Sequence, residues 1–382
     1  MDFPTRYSPM TTALRKYGIE GELICQWGVP YKSSSSLKGP VNWTKDLATS
    51  FRLSDDISDA WSSVYRIYNQ AIYVADTDKT GPGFHADADL LEVGNKGLTT
   101  AEQQFHFAYW AMAKSALMIS TNVVHSSQKT REILLNKGLL SINQDSLGKP
   151  IKLVQRYSGQ WDLHAGPLVN GDRAVLAFNA RTSSAPITIN FADIGVASAD
   201  CFDLYSGAKA SGVTSYTSTV PAHGAIPLHL SKVKLASSRE APAVNWFEAE
   251  GATLEGSVKV ASCSGCSGGK KVGEINGYGN NLVFKDVKAT AATQTVLFDY
   301  VNAEISYLGG SNGENERTAR FSVNGGEGQQ VTFPISGYDW DADVRKNYRV
   351  QLFGFAVGSA NTIQISSSTN APDFDRLGIF AA

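Results

Sequence analysis

The chain has 382 residues, a length that predicts two or three domains. Hydrophobic residues make up 42% of it and charged residues only 18%, which excludes a disordered chain and allows each domain a buried core. The net charge is -2 and no block of Lys or Arg occurs, so the composition argues against a nucleic-acid-binding surface or a polybasic membrane anchor. No apolar stretch approaches the roughly 20 residues that span a bilayer. We therefore expect partners that are neither nucleic acid nor membrane.

The first part of the chain, residues 1–145, is predicted to alternate strands with helices. Apolar periodicity predicts a strand over 21–27, helices over 56–75 and 99–114, a strand over 116–121 and a third helix over 126–137. Strands and helices in series predict parallel strands joined by crossover helices.

The pattern changes near residue 146. Residues 146–232 alternate polar and apolar side chains between turns and predict a small antiparallel β-sandwich domain. Residues 233–244, with Lys, Ser, Arg, Glu and Pro, predict a linker. Residues 245–382 show short strand patterns separated by Gly and Asn turns, which predict a β-sandwich or jelly roll.

Three polar clusters follow the predicted parallel strands, at residues 25–28, 52–57 and 81–89. The carboxyl ends of barrel strands are where such folds carry out chemistry. A carboxylate beside an arginine suits a sugar site, because the acid can protonate a leaving oxygen and the arginine can donate to hydroxyls. The alternative is structural: Asp55 and Asp56 would cap the helix that follows. Composition alone leaves both interpretations open.

An ordered set of motifs in residues 1–232 resembles glycoside hydrolase family 27, and most closely the fungal secreted α-galactosidases. The motifs are Pro4-Thr-Arg-Tyr-Ser-Pro-Met10, Cys25-Gln-Trp-Gly28, Arg52-x-x-x-Asp56, Gly81-Pro-Gly83, Asp89-Leu-Leu-Glu-Val-Gly-Asn95, Trp110-Ala-Met112 and Ile142-Asn-Gln-Asp145. The resemblance implies a (β/α)8 TIM barrel followed by a small antiparallel β-domain. It also implies removal of terminal α-linked galactose by a retaining two-carboxylate mechanism, without a catalytic cofactor, on galactose-containing oligo- or polysaccharides.

The same resemblance assigns roles to individual residues. Asp56 matches the general acid/base, Arg52 matches the arginine that binds galactose hydroxyls, and Cys25 and Trp27 line that pocket. The remaining matches are Asp87 and Asp89, which are expected to support the arginine and the acid. The run Phe84-His85-Ala86 and the residue Ala88 depart from the family's usual Gly-Trp-Asn and Pro at the pocket edge. β-L-arabinopyranosidase activity is therefore an alternative to α-galactosidase activity.

The largest departure from the family is at the front of the chain. The family's nucleophile is an Asp in a Lys-Tyr-Asp-x-Cys strand, and neither that motif nor the galactose-binding pair of aspartates before it occurs here. A retaining mechanism needs two carboxylates roughly 5–5.5 Å apart. We therefore expect residues 1–145 to be the C-terminal half of the barrel, in a truncated chain that is inactive alone. The parent protein is expected to be secreted, although no signal-peptide pattern is visible in this chain.

The third domain resembles a carbohydrate-binding module of family 35, through Trp246-Phe-Glu-Ala-Glu250, Cys263-Ser-Gly-Cys-Ser-Gly-Gly-Lys-Lys-Val-Gly273 and Pro372-Asp-Phe-Asp-Arg-Leu-Gly378. Glu248 and Glu250 are two apart, so on a strand both would point to one face, and with Asp375 they could bind a structural Ca²⁺. The alternative is an exposed, solvated strand face. Candidate sugar contacts in this module are Tyr278, Arg320, Trp340 and Asn361.

Cysteine usage is sparse. Of the four cysteines only Cys263 and Cys266 are close in sequence, in a Ser/Gly-rich stretch, which predicts a small local disulfide. Asn42-Trp43-Thr44 is a glycosylation acceptor sequence and fits a secreted glycoprotein. A different class of function also fits the residues, in which the chain is only a carbohydrate-binding protein that acts through residues 245–382.

Overall fold

The computed structural model describes residues 2–26, 28–33, 36–157, 160–236, 243–305 and 315–381. Contacts divide the chain into two compact units, one built from Met1–Val154 and Trp161–Ser237, the other from Gln155–Gln160, Ser238–Ile305 and Asn315–Ala382. None of the helices in the described ranges has the length and hydropathy of a membrane span. Each unit is described separately below.

The first unit contains five α-helices and a series of strands. The helices are α1 (Phe3–Lys16), α2 (Trp61–Asp76), α3 (Thr100–Met112), α4 (Gln128–Leu134) and α5 (Lys137–Asn143). The strands before α5 are β1 (Leu23–Ile24), β2 (Tyr31–Ser33), β3 (Ser36–Lys38), β4 (Ser50–Arg52) and β5 (His85–Asp87). The strands after it are β6 (Lys152–Tyr157), β7 (Trp161–Pro167), β8 (Arg173–Asn179), β9 (Ala185–Asn190), β10 (Val196–Asp203), β11 (Lys209–Val213), β12 (Ser215–Val220) and β13 (Ala225–Leu235).

A parallel sheet of order β1-β4-β5 organises the first part of this unit. Ile24 is in register with Phe51, and Phe51 with Ala86. All three side chains are buried, so this row of the sheet belongs to the core. The next row pairs Arg52 with Asp87. Because these two residues end neighbouring parallel strands, their side chains emerge together at the carboxyl edge of the sheet.

Several elements differ from the sequence expectation. The strand expected over 21–27 is limited to β1, and the one over 116–121 is reduced to a single parallel bridge between Leu91 and Ile119. The helices expected over 99–114 and 126–137 are present as the shorter α3 and α4. The prediction missed α1. This helix contains Pro9 and buries only Thr11, so its sequence lacks the apolar periodicity from which an amphipathic helix is predicted. It also missed α5, a short helix that includes Gly138.

The helix predicted from residue 56 begins later, at Trp61. Its N-cap is Ala60, and no side chain caps the first turn. The expectation that Asp55 and Asp56 cap this helix is therefore wrong. The segment before α2 is held by long-range contacts instead: Asp89 Oδ2 accepts a hydrogen bond from the Ile57 amide at 2.8 Å, and Arg66 donates to the Asp56 carbonyl at 3.3 Å.

The second part of this unit is antiparallel, as the alternation of polar and apolar residues predicts. Its strands follow the order β11-β10-β13-β8-β7-β6, with β9 and β12 paired as a separate ribbon. In β9 the buried positions are Ala185, Ile187 and Ile189, alternating with exposed ones. The linker prediction over 233–244 is wrong at its start, since β13 continues to Leu235. Residues 237–242 lie outside the described ranges.

The second unit is a pair of packed β-sheets. Its strands are β14 (Val244–Glu248), β15 (Thr253–Leu254), β16 (Lys259–Ser262), β17 (Lys270–Gly273), β18 (Leu282–Ala289), β19 (Thr293–Val301), β20 (Glu316–Val323), β21 (Gln329–Pro334), β22 (Arg345–Phe353), β23 (Gly358–Ser366) and β24 (Asp373–Phe380). One sheet has the order β15-β18-β23-β20-β21, and the other contains β22-β19-β24-β17-β16 with β14 beside β24.

Aromatic contacts join these two sheets across a shared core. Phe298 on β19 lies 5.1 Å from Phe321 on β20, measured between ring centroids. Phe374 on β24 lies 5.4 Å from Phe333 on β21. All four side chains are fully buried. The second unit is therefore a β-sandwich, while its jelly-roll topology stays a prediction.

Candidate functional site

Arg52 is the centre of a charged cluster at the carboxyl edge of the parallel sheet. Its side chain is buried, and its Nη2 donates to Asp56 Oδ1 at 3.0 Å and to Asp89 Oδ2. The Nε of Arg52 is also buried and has no hydrogen-bond partner among the described residues. One guanidinium thus joins two carboxylates through Nη2, and its buried Nε is unpaired among the described residues.

The two carboxylates that share Arg52 differ in exposure. The side chain of Asp56 is 51% exposed, whereas that of Asp89 is 9% exposed. Asp89 lies in the left-handed region, with φ of 77°, and its Oδ1 accepts from the Leu90 amide at 2.8 Å. Asp89 is therefore committed to holding the site together, and Asp56 is the carboxylate open to an incoming molecule.

Asp55, the neighbour of Asp56, faces the other way. It is buried and forms an ion pair with Arg66 of α2, whose guanidinium also donates to Ser54 Oγ at 3.0 Å. The two adjacent aspartates thus have separate partners. Asp55 anchors the loop to the helix, and Asp56 stays on the sheet edge with Arg52.

Asp87 and Trp110 each form a hydrogen bond with the backbone of Asp89. Asp87 is buried and accepts from the Asp89 amide at 2.9 Å, and burial raises the pKa of its carboxyl above the ordinary value. The indole Nε1 of Trp110 donates to the Asp89 carbonyl at 3.0 Å. Asp89 contacts Arg52 directly and Asp87 contacts Asp89, while the supporting role expected of both residues stays a prediction. The contact from Trp110 was not anticipated.

The expected pocket wall at residues 25–27 is described only in part. Cys25 is exposed and is a free cysteine, while Trp27 lies outside the described residues. Tyr7 of α1 reaches this wall and donates to Gln26 Oε1 at 3.1 Å, and its burial raises the pKa of its hydroxyl. Tyr7 carries no sequence signal for this role, because the helix that places it was not predicted.

In the second unit, Ser267 contacts two of the three carboxylates that were expected to bind calcium, those of Asp375 and Glu248. Asp375 on β24 is fully buried and accepts from the Ser267 amide at 3.0 and 3.1 Å, and burial raises its pKa to about 6. Glu248 accepts from Ser267 Oγ at 2.8 Å. Glu248 Oε2 and Glu250 Oε2 are buried and have no hydrogen-bond partner among the described residues.

This acidic cluster, Glu248, Glu250 and Asp375, differs from the expected strand face. Glu248 ends β14, but Glu250 lies in the 3₁₀ turn Ala249–Gly251, so the two do not follow strand alternation. The alternative of a solvated face is also wrong, since each side chain has a buried oxygen. Unpaired carboxylate oxygens suit a hard cation such as Ca²⁺. Within the described ranges no three His, Cys, Asp or Glu side chains are already arranged to hold a metal.

The four candidate sugar contacts do not form one group. Tyr278 is fully exposed on a turn. Arg317 lies 4.5 Å from the Trp340 ring, and Arg320 is three residues further along β20, so it points to the opposite face of that strand. Arg317 was not expected from the sequence. Lys271 contacts the same ring, at 5.2 Å.

Asn361 differs from the other three candidates, because it is buried in the domain. Its Oδ1 accepts from the Ala356 amide at 2.8 Å and from Asn324 at 2.7 Å. Its Nδ2 donates to the carbonyls of Val287 and Ala356. The side chain therefore braces a loop from within rather than facing solvent.

A cavity of about 390 Å³ lies in the first unit, away from Arg52. It is lined by residues that include Gly81, His85, Lys114 and Asp145. His85 is the first residue of β5 and Asp87 the last. The cavity is therefore at the amino edge of the sheet, opposite the charged cluster, and does not contribute to it.

Comparison with known proteins covers both parts of the first unit. Residues 2–145 match a family model described as alpha galactosidase A, and residues 158–230 match the alpha galactosidase C-terminal beta sandwich domain. The probable alpha-galactosidase D of Aspergillus niger is 35% identical over 214 residues, which is 54% of this chain and 31% of that protein. The alpha-galactosidase of Oryza sativa subsp. japonica is 36% identical over 197 residues, 50% of this chain and 44% of that protein.

A solved structure shows the same similarity. The crystal structure of alpha-galactosidase I from Mortierella vinacea matches with a TM-score of 0.56 and 29% identity, covering 61% of this chain and 64% of that one. The chain thus spans 31% and 44% of the length of the two curated relatives above. Residues 2–230 of the chain thus resemble parts of alpha-galactosidases.

Proposed function

We propose that the charged cluster around Arg52 is the acid/base half of an α-galactosidase site, in which Asp56 protonates the leaving oxygen of a terminal α-linked galactose. The observation that supports this most directly is the difference between the two carboxylates on Arg52. The exposed Asp56 can meet a substrate, while the buried Asp89 neutralises the arginine and keeps it in place. Proton transfer to a leaving group requires a carboxyl that a bound substrate can reach, and Asp56 meets that requirement.

The sugar-binding role of Arg52 is part of the same proposal. Its Nε is a buried donor with no partner among the described residues. Such a donor costs about 1–3 kcal/mol when it stays unsatisfied. Because this atom has no contact with solvent, a hydroxyl of galactose would satisfy it only after the guanidinium turns toward the sheet edge. The natural substrates are accordingly galactose-containing oligo- or polysaccharides.

The retaining mechanism needs a second carboxylate to attack the anomeric carbon. The chain contains no Lys-Tyr-Asp-x-Cys motif to supply one. We therefore propose that this chain alone does not complete the reaction. The test is hydrolysis of p-nitrophenyl α-galactoside and p-nitrophenyl β-L-arabinopyranoside by the purified chain. Turnover in the range of typical enzymes, roughly 1–1000 per second, on either substrate contradicts the proposal.

The role of Asp56 is tested after fusing to this chain a nucleophile strand taken from a related alpha-galactosidase. There Asp56→Asn is expected to lower kcat about 10²–10⁴-fold for alkyl galactosides, and less for aryl galactosides whose leaving group needs no proton. Glu132→Gln is a matched control, since Glu132 is also 51% exposed and lies 3.5 Å from a cation, Lys129. Equal losses on both substrate types would contradict an acid role for Asp56.

We further propose that residues 245–382 are a carbohydrate-binding module whose acidic cluster holds a structural Ca²⁺. The support is the pair of buried, unpartnered oxygens on Glu248 and Glu250 beside the buried Asp375. Bound Ca²⁺ would supply the positive charge that these carboxylates lack. Trp340 and Tyr278 are the proposed sugar contacts, and loss of polysaccharide retention in Trp340→Ala on an affinity gel, with Phe353→Ala as the control, tests that part.

A further inference from the structure

A single loop covers the acidic cluster from one side. In the loop Cys263–Gly269, the Ser267 amide donates to both oxygens of Asp375, at 3.0 and 3.1 Å, and its hydroxyl donates to Glu248 at 2.8 Å. Gly268 lies over the third carboxylate, since a Cβ built on it would be 3.2 Å from Glu250 Oε1. Through Ser267 and Gly268, this seven-residue loop is therefore close to all three carboxylates.

The loop is closed by a disulfide between Cys263 and Cys266, which confirms the local bridge expected from the sequence. Two backbone hydrogen bonds also close the loop. The Cys263 amide donates to the Gly269 carbonyl at 2.9 Å, and the Gly269 amide donates to the Cys266 carbonyl at 3.2 Å. Ser267, which contacts the carboxylates, directly follows a bonded cysteine. Its position is thus set by the bridge.

The loop is also bound to the neighbouring segment at Asp341 and Ala342. The amide and the hydroxyl of Ser264 donate to the Asp341 carbonyl at 2.7 and 2.9 Å. At Gly265 the backbone passes so close that an added Cβ would lie 2.0 Å from the Ala342 carbonyl oxygen. The loop is therefore fixed between a neighbouring segment and the carboxylates, with the disulfide inside it.

We propose that the Cys263–Cys266 disulfide sets the affinity of the acidic cluster for a divalent cation, so that this cation site is redox-sensitive. The inference rests on the calcium binding proposed above. Carboxylates that bind a metal depend on the hydrogen bonds that orient them, and losing those partners lowers metal affinity about 10- to 100-fold. Here Ser267 supplies those hydrogen bonds. Reduction removes the covalent constraint on the loop, leaves only its hydrogen bonds and so loosens the geometry at Ser267.

The redox step is simple. A dithiol reductant such as dithiothreitol transfers two electrons and two protons to the sulfur–sulfur bond, which becomes two thiols, while the reductant becomes a cyclic disulfide. Linkage requires the reverse effect, because calcium must disfavour reduction by the same factor by which reduction weakens calcium. Each tenfold change corresponds to about 30 mV in the potential of the disulfide.

The experiment measures CaCl₂ binding to the full chain by isothermal titration calorimetry, oxidised and after reduction with dithiothreitol. We expect reduction to weaken binding about 10- to 100-fold. The double variant Cys263→Ser with Cys266→Ser should bind like the reduced chain and should not respond to the reductant. Ser267→Ala, which removes one of the loop's hydrogen bonds and keeps the bridge, should fall between the oxidised and reduced chains.

The outcomes separate this proposal from the calcium proposal. Equal affinity in the oxidised and reduced chains, or tighter binding after reduction, overturns the disulfide's role and leaves calcium binding intact. Absence of calcium binding to the oxidised chain overturns both. If the double variant does not fold, the potential of the wild-type disulfide decides, measured in glutathione buffers with CaCl₂ and with EDTA. A lower potential with calcium supports the proposal, and an unchanged one overturns it.

Discussion

The protein has two clusters of carboxylates, one around Arg52 and the acidic cluster of the second unit. They differ in where the positive charge that would balance them comes from. In the first unit the charge is internal, because Arg52 is buried between Asp56 and Asp89. In the second unit Glu248 and Asp375 accept hydrogen bonds from the neutral Ser267. The neighbouring Arg376 is paired with Asp299 at 2.8 Å. Among the residues that the structure describes, no Lys or Arg forms an ion pair with Glu248, Glu250 or Asp375 comparable to that of Arg52.

This difference explains what each group is suited to do. An internal guanidinium neutralises the buried carboxylate of Asp89 and leaves the carboxylate of Asp56 in contact with solvent, where a substrate can reach it. A cluster without an internal cation has a cost, since buried charges need pairing. That cost favours binding of a cation from solution. The following predictions test this comparison, from the largest expected effect to the smallest.

Removing the internal cation should have the largest effect on stability. Arg52→Ala leaves Asp89 buried without its partner, and breaking a buried ion pair in this way costs about 3–5 kcal/mol. The measurement is urea unfolding of the full chain, monitored with a signal that reports on the first unit. Arg52→Lys is the control, since it keeps the charge. A loss below about 1 kcal/mol for Arg52→Ala would show that Asp89 does not depend on the arginine.

Calcium should stabilise the second unit, which lacks an internal cation. At 100 times Kd a ligand that binds only the folded state adds about 2.7 kcal/mol, and we expect EDTA to remove that gain. Glu250→Gln should abolish the response, while Glu255→Gln, at an exposed carboxylate, should keep it. Thermal unfolding with CaCl₂ and with EDTA measures this, and identical midpoints for the wild-type chain would remove the calcium site.

Lowering the pH should reduce the stability of the first unit, because this unit contains a buried histidine. His106 is fully buried, and burial lowers its pKa to about 3. Because the unfolded chain binds a proton near pH 6.5 and the folded one does not, the stability is complete above pH 6.5 and falls as the pH decreases towards 3. The loss by pH 5 is about 2 kcal/mol. His106→Gln should remove this pH dependence, and the exposed His125→Gln should not.

The exposed carboxylate should contribute least to stability. Asp56 is half exposed, and exposed ion pairs are worth about 0–1 kcal/mol. Asp56→Asn is therefore expected to change the free energy of unfolding by less than about 1 kcal/mol, in contrast to Arg52→Ala. A loss of several kcal/mol in urea unfolding would mean that Asp56 is structural and would weaken its assignment as the acid.

The boundary of α2 shows where sequence reasoning stopped. Ile57 has the right spacing for the apolar face of a helix, and Asp56 is a residue type that caps helices. Neither local signal determined where the helix begins. Asp89 binds the Ile57 amide and Arg66 binds the Asp56 carbonyl, and the segment stays non-helical up to Ala60. Local propensity cannot include contacts with residues that are distant in the chain.

The acidic cluster shows how local spacing can mislead. The sequence suggested Glu248 and Glu250 as neighbours on a strand face, but a 3₁₀ turn follows Glu248 and contains Glu250. Glu248 lies near Asp375 because β14 pairs with β24. The covering loop and Ser267 were not anticipated, since a serine in a Ser/Gly-rich stretch carries no signal of what it contacts.

Short-range features of this protein were determined by the sequence alone. They include the Thr99–Glu102 capping box of α3, the alternation of β9 and the Cys263–Cys266 disulfide, all of which depend on residues a few positions apart. The sites were decided only by the tertiary structure. Arg52 and Asp89 are separated by 37 residues, and Ser267 and Asp375 by 108. Which carboxylate is buried, which is exposed and which lacks a partner depends on how strands pair over such distances, and no local pattern encodes that pairing.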